Sequence, residues 1–403
     1  MTASPQWVCC QLGAREHYAV PRALFRRGSL EHLLIDAWVS PRSPLAALPL
    51  GSGERFHKDL AEAPIRAWTS GLFAFELTAR LKRLSGWPLI VARNNWFQRK
   101  VISLLAHWEP RAYDREPVLF SYSYSALEPF RFVKSRGWKT ILGQIDPGPF
   151  EEEIVAAEVE REASLAPNWR RAPARYWKSW REECEVADRI IVNSEWSLDA
   201  LVERGIRKNK LSIIPLALEN NAPSVSPKVF PGRFTAGRPL RVLFLGQVSL
   251  RKGIARLLNV ARSFQSEPVE FLIVGPIQIT IPEDLHPNRK IRWVGPVGRN
   301  NVRTYYEQAD VFILPTLSDG FALTQLEALA HRLPVIASRR CGDVVIDRVN
   351  GLVLEEPTAE AIEEALRFCL CNPDQLAQFS ENATIGERFS LSCLGAQLRA
   401  LSM

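Results

Sequence analysis

The 403-residue chain has no run approaching the roughly 18 to 20 apolar residues that a membrane span requires. Its N-terminus carries no basic segment followed by an apolar one. Both absences argue against membrane insertion and secretion. The seven cysteines (Cys9, Cys10, Cys184, Cys341, Cys369, Cys371, Cys393) are odd in number and scattered. None has paired Cys-x2-Cys spacing with histidines at zinc distance, which excludes a disulfide framework or a zinc ribbon and fits a reduced, cytoplasmic compartment. No Gly-x-Gly-x-x-Gly follows the strands expected near Val8 or Leu240, which argues against a nicotinamide enzyme. There is no Ser-His-Asp set or activated cysteine, and no Asp-x-Asp element ends a strand to hold a metal, so metal independence is expected. Internal repeats are absent, and low complexity is confined to 219–239.

An apolar fraction of 46% is ordinary for a globular chain, and the length suits two domains of about 200 residues each. The net charge of +7 favours anionic partners: nucleic acid, an acidic membrane or a phosphorylated small molecule. Basic residues cluster at Arg22, Arg26 and Arg27, at Arg80, Lys82 and Arg83, and at Arg170, Arg171, Arg175, Lys178 and Arg181, some interleaved with tryptophan and tyrosine. They read either as solvated helix faces or as contacts with an anionic membrane. No nucleic-acid recognition module accompanies them, so nucleic acid is not expected as a partner.

Short, continuous apolar runs alternate with helical segments in the second half, at 240–245, 269–274, 291–294, 311–314 and 335–337, and predict a parallel sheet covered on both faces. The first half repeats the pattern less cleanly, with strands expected at 8–12, 32–35, 89–92, 118–121, 140–144, 189–192 and 211–214 and helices at 18–27 and 67–84. The fold class is therefore α/β, with two doubly wound domains at 1–220 and 239–403 joined by a Pro/Gly/Ser/Asn-rich linker at 221–238. A ligand is expected in the cleft where the carboxyl ends of the two sheets face each other.

Two segments carry most of the chemistry. Thr316-Leu-Ser-Asp-Gly-Phe-Ala-Leu-Thr-Gln-Leu-Glu327 follows an apolar run and leads through a glycine turn into a helix, whose free N–H groups can take an anion or a sugar hydroxyl. Asp319 and Glu327, about two helical turns apart, can reach different parts of one elongated ligand. Gly246-Gln-Val-Ser-Leu-Arg-Lys-Gly253 follows the first strand of the second half. Its glycines allow close approach, and Arg251 and Lys252 suit a diphosphate, although two basic residues also occur in ordinary βα turns. Val274-Gly-Pro276 and Val294-Gly-Pro-Val297 end strands with glycine and can offer backbone to a heterocyclic base or simply terminate strands.

Taken in order with Ala328-Leu-Ala-His-Arg-Leu-Pro-Val-Ile-Ala-Ser338 and Asn350-Gly-Leu-Val-Leu354, these segments resemble the retaining, two-domain GT-B glycosyltransferases of family 4 (glycosyl transferases group 1), whose two domains are Rossmann-like. The resemblance implies a retaining hexosyltransferase of carbohydrate biosynthesis, with a nucleoside-diphosphate sugar as donor substrate, a hydroxyl acceptor (glycan, lipid-linked sugar or small metabolite), no cofactor and no metal. It implies that Asp319 faces the donor sugar hydroxyls, that Glu327 binds the ribose, and that the turn Gly320, Phe321, Ala322 and Leu323 supplies N–H groups. Lys252, helped by Arg251, balances the leaving diphosphate beside Gly246 and Gln247, with Val297 near the base. Departures are Asp319 where Glu is usual and Gln247 where many members carry arginine. In the first domain Gly13 and Arg15, in Gln11-Leu-Gly-Ala-Arg-Glu-His17, look like the family's glycine loop.

The loop 143–149 lacks the histidine that many members place there, so Gln144 or Asp146 is expected to stand in; Asp146 also reads as a turn carboxylate. Tyr122 and Tyr124 are candidates to stack on the acceptor, and Ser194 and Glu195 are secondary candidates. His17 reads as a helix-start or packing residue, and the last helix is expected to return to the first domain. The expected location is the cytoplasm, with peripheral contact at the inner face of the membrane. Alternatives are hydrolysis of a glycoside by a carboxylate pair and a catalytically degenerate nucleotide-sugar-binding or scaffold protein.

Overall fold

The computed structural model of the chain describes residues 6–43, 55–108, 117–219 and 225–402. Two parallel sheets organise it. The first takes β1 (Gln6–Gln11), β2 (Leu30–Ile35), β3 (Ile65–Ala67), β4 (Pro117–Tyr122), β5 (Lys139–Gly143), β6 (Arg189–Val192) and β7 (Leu211–Ile213) in the order β3-β2-β1-β4-β5-β6-β7. The second takes β8 (Leu240–Leu245), β9 (Val269–Val274), β10 (Ile291–Gly295), β11 (Val311–Leu314), β12 (Val335–Ser338) and β13 (Gly351–Leu354) in the order β10-β9-β8-β11-β12-β13. The strand order reverses at β1/β4 and at β8/β11, and such switch points open a crevice beyond the carboxyl ends of the strands.

Helices α1 (Ala19–Arg26), α2 (Thr69–Leu81), α3 (Gly86–Ala106), α4 (Leu127–Lys134), α5 (Pro149–Arg161), α6 (Ala174–Val186) and α7 (Glu195–Glu203) accompany the first sheet. Helices α8 (Ile254–Ser263), α9 (Arg299–Gln308), α10 (Leu323–Ala330), α11 (Ala359–Cys371), α12 (Pro373–Asn382) and α13 (Leu391–Ser402) follow in the second half. β11 and β12 are buried at every residue, as strands covered on both faces must be. α13 packs against α1, and its Leu391, Leu394 and Leu398 join the core under the first sheet.

Two features differ from expectation. Residues 89–92 form part of α3 rather than a strand, because the apolar run continues at four-residue spacing through Phe97, Val101 and Leu105, all buried; helical periodicity outweighs the β-branched pair. Within the expected linker, 221–224 lies outside the described residues, but the rest is pinned. Lys228 Nζ donates to the carbonyls of Tyr306 (2.8 Å), Glu307 (2.9 Å) and Ala309 (2.8 Å) at the end of α9, where a cation suits the helix dipole. Arg238 forks onto Asp310 at 2.6–2.7 Å.

The halves meet through specific contacts. Arg256 on α8 pairs with the buried Glu158 on α5 at 3.0 Å, and Thr280 N–H donates to Leu165 O at 2.8 Å. No helix among the described residues is long and apolar enough to cross a membrane.

Candidate active site

Adjacency of β8 and β11 brings their two following loops together. Leu317 N–H and Thr316 Oγ1 both bond to Arg251 O, at 2.8 and 3.1 Å. Gly253 closes the first loop at φ 74°, and a Cβ there would lie 1.9 Å from Pro315 O, so only glycine permits the approach. The result sets Arg251 and Lys252 against Asp319. Lys252 Nζ pairs with Asp319 Oδ2, and Arg251 Nη1 lies 3.3 Å from Oδ1. All three are largely buried. Burial pushes the Asp319 carboxyl up, but Lys252 and Arg251 together outweigh it and hold it below the usual range. Asp319 is thus an anion at neutral pH, clamped between the two cations.

The first half closes over this cluster. Ser194, the N-cap of α7, donates from Oγ to Gly320 O at 2.8 Å, and Trp196 Nε1 donates to Ser318 Oγ at 3.1 Å. A Cβ on Gly320 would stand 2.2 Å from Ile145 O, so the turn after β11 and the loop after β5 approach backbone to backbone. In that loop, Asp146 accepts from the Tyr124 hydroxyl and from Gly148 N–H (2.9 Å). Gln144 donates to Asp146 O at 2.9 Å and accepts from Trp180 Nε1 at 3.0 Å. Burial raises the Asp146 carboxyl, against the pull of those hydrogen bonds and of Arg251 and Arg15.

Glu151, in the first turn of α5, was not foreseen. Its Oε1 lies 3.6 Å from Arg251 Nε, and its buried Oε2 makes no close hydrogen bond. Burial, reinforced by Asp146 and Asp319 and opposed by Arg251 and the Ser318 hydroxyl, lifts its pKa to about 8. Glu183 was also missed: it accepts from the N–H groups of Tyr124 (2.7 Å), Ala126 (2.5 Å) and Leu127 (3.0 Å), fixing the turn that carries Tyr124. Nothing in Glu151-Glu152-Glu153 tells which acid turns inward.

Glu327 stands apart from Asp319. It accepts from Tyr306 OH at 2.8 Å and lines a second cavity of about 350 Å³ with His17, Arg22, His57 and Arg299. His17 therefore faces a cavity rather than merely starting a helix. It lies with Glu16 and Tyr18 in three successive left-handed residues (φ 49–62°), a costly conformation for non-glycine residues. Burial and then the charges of Arg299 and Arg22 lower the His17 pKa to about 3, so it is neutral at pH 7.

The remaining candidates divide. Gly13 N–H is held by Asp36 Oδ1 at 3.0 Å, and Arg15 is exposed. Gln247 is exposed and, with Arg251, Tyr124 and Asp146, lines a cavity of about 620 Å³. Val297 packs partly buried on the core of the second half. Gly246 sits beneath Gly275. Leu323 opens α10, and Phe321 packs on Gly342 and Phe389. Ala322 N–H already donates to Cys341 O at 3.1 Å, so this amide of the turn is engaged. Tyr122 differs from expectation: its side chain is buried beside Phe120 with its hydroxyl on Glu16 at 2.9 Å, out of reach of a stacked ligand. Glu195 points to solvent. Among the described residues no group of three or more His, Cys, Asp or Glu is placed to hold a metal ion.

Two facing parallel sheets with their switch-point loops converging on one cleft define an α/β protein of the GT-B arrangement. Residues 229–385 match the family described as glycosyl transferases group 1. A D-inositol 3-phosphate glycosyltransferase of Xylanimonas cellulosilytica is 24% identical over 399 residues, 91% of this chain and 85% of that protein. A protein of the same name from Corynebacterium urealyticum is 27% identical over 220 residues, 49% of this chain and 52% of that protein. The chain spans about half the length of some of the curated relatives it matches. The crystal structure of Anabaena Alr3699/HepE in complex with UDP superposes with a TM-score of 0.62 at 14% identity, covering 98% of this chain and 99% of that one. The family match lies within the second half of the chain, and the likeness to the Anabaena structure extends over both halves.

Proposed function

We propose that the chain is a retaining, metal-independent glycosyltransferase of family 4, which moves a sugar from a nucleoside-diphosphate sugar to a hydroxyl acceptor. The observation that carries the reading is the meeting of Arg251, Lys252 and Asp319 at the β8/β11 switch point, inside the segment matched by the family. In this reading the diphosphate takes Arg251 and Lys252, Asp319 turns to the sugar hydroxyls, and Glu327, oriented by Tyr306, takes the ribose. The bond from the anomeric carbon to the phosphate oxygen breaks, the acceptor oxygen bonds to that carbon on the same face, and its proton passes to the departing diphosphate. The two cations stabilise the charge that develops on the leaving group. UDP, held by the Anabaena structure, is the first nucleotide to test.

The domains are taken as 1–220 and 239–403, with the acceptor on the first. We place the protein in the cytoplasm, in peripheral contact with an anionic membrane through α2. That helix exposes Phe73 (49%), Leu77 (53%) and Leu81 (77%) at four-residue spacing beside exposed Arg80, Lys82 and Arg83. The test of the reading is transfer from UDP-sugars to an acceptor panel in the presence of EDTA, with the anomeric configuration read by NMR. An inverted product, or turnover abolished by EDTA, would contradict it. A degenerate binding protein is favoured by one observation: Asp319 already pairs with both cations. UDP binding without any turnover would select it.

A further inference from the structure

The cavity of about 620 Å³ lies where α5 and α6 face the loops after β8 and β9, a size suited to a drug-sized ligand. Trp87, Tyr124, Trp169, Tyr176 and Trp177 line it. Four of them form a continuous block: Tyr124 stacks on Tyr176 at 5.0 Å and 20°, and Trp87 and Trp177 lie 4.9 and 5.1 Å from the same ring. Such faces are flat and apolar with polar edges, and they suit the C–H face of a sugar ring better than a flexible acyl chain. Apart from Arg251, which the transfer reading gives to the diphosphate, the lining offers an anion no cation and sets the acids Asp146, Glu151 and Glu152 there instead. Arg251 is already paired with Asp319 and Glu151, and Glu152 accepts from Ala172 N–H and Trp177 Nε1.

Glu151 is the exception to this saturation. It lines the cavity and approaches Arg251 and the Ser318 hydroxyl, yet its buried Oε2 makes no close hydrogen bond. A buried acceptor left unmade is costly and calls for an explanation. A hydroxyl brought in by a ligand would satisfy it, and would arrive beside the Arg251–Lys252–Asp319 cluster.

We propose that this cavity binds a neutral saccharide as the acceptor, stacked on the Tyr176 block, with the Glu151 carboxyl hydrogen-bonded to the hydroxyl to be glycosylated. The proposal rests on the glycosyl-transfer reading for what happens next, but not for binding itself. The saccharide can be free or the head of a lipid-borne acceptor; the ring chemistry is the same.

The test is quenching of intrinsic tryptophan fluorescence, without nucleotide, by a broad panel of neutral mono- and disaccharides, each as the free sugar and as an alkyl glycoside. At least one saccharide is expected to quench the native protein, and Tyr176→Ala to weaken that binding about tenfold, the equivalent of one lost stacking contact of about 1.4 kcal/mol. Glu151→Gln should raise the acceptor KM by a larger factor than it changes the KM for the nucleotide sugar. Preference for the alkyl glycoside assigns a lipid-borne acceptor, and equal binding assigns a free one. Trp87→Ala, at a half-buried position, replaces Tyr176→Ala if the latter does not fold. No quenching by any saccharide, or quenching indifferent to these substitutions, overturns the proposal. Saccharide binding in a protein that binds no nucleotide would instead sink the transferase reading and leave the cavity assignment standing.

Discussion

Asp319→Asn should tighten nucleotide binding while it impairs transfer. The carboxylate lies between Lys252 Nζ and Arg251 Nη1, so a diphosphate that uses these cations must first compete with it. Opposite charges 4 Å apart attract by about 4 kcal/mol at an effective dielectric of ~20. Desolvation offsets much of that, leaving a competition of about 1 to 2 kcal/mol. Asparagine keeps the shape and removes the charge, so UDP should bind about tenfold more tightly, with a steeper salt dependence. The free protein should melt lower, because two buried cations lose their shared anion, a change that costs about 3 kcal/mol when one partner of a buried pair is removed. Transfer should fall about 10- to 100-fold in kcat/KM, the worth of about 1.5 to 3 kcal/mol for a hydrogen bond to a charged group. Isothermal calorimetry with UDP and an initial-rate assay separate the two effects. Unchanged or weaker UDP binding in Asp319→Asn would refute the idea that the diphosphate occupies Arg251 and Lys252.

Three further outcomes are expected. Gly320→Ala would place a Cβ 2.2 Å from Ile145 O, forcing the halves apart at a cost of about 1 to 3 kcal/mol; a larger radius of gyration by X-ray scattering is predicted, and an unaltered profile with full activity would show that the contact is dispensable. Glu16 and Glu183, raised to about 7, and Glu151, raised to about 8, chiefly by burial, bind protons in the folded state that the unfolded chain has released. Stability from these groups is complete below their unfolded pKa and is lost as pH rises through 7 to 8, so Glu151→Gln should flatten the fall between pH 5 and 8 by up to about 1.4 kcal/mol per pH unit; denaturation curves that stay parallel across that range would contradict it. Leu77→Glu with Leu81→Glu should abolish flotation with anionic vesicles at low salt without changing UDP binding, and flotation by the double variant would remove α2 as the contact.

Legibility from sequence followed burial. β8, β9 and β11 stand where continuous apolar runs put them, because strands covered on both faces carry one unambiguous pattern. The run at 89–92 misled because four apolar residues suit either a strand or a buried turn of helix, and only the later spacing of Phe97, Val101 and Leu105 decides. β3, with three residues at the sheet edge, carried no pattern long enough to read. In the site, Arg251, Lys252 and Asp319 were nameable because their loops follow strong strands. Tyr122 and Tyr124 looked equivalent; yet Tyr122 still belongs to β4 and turns into the core, whereas Tyr124, at φ 75°, turns out to the cavity. Glu151 and Glu183 act through long-range pairing and desolvation, which a single sequence does not display.

The most direct test of the central claim is a thermal-shift panel of nucleoside diphosphates and nucleotide sugars on the native protein, Lys252→Ala and Glu327→Ala. A nucleotide that binds the folded state alone stabilises it by mass action, by about 2.7 kcal/mol at a hundredfold excess over Kd, and so raises the melting temperature. The account predicts stabilisation of the native protein by one nucleoside diphosphate and its sugar, lost in both variants. No shift with any nucleotide, or a shift retained in both, would contradict it.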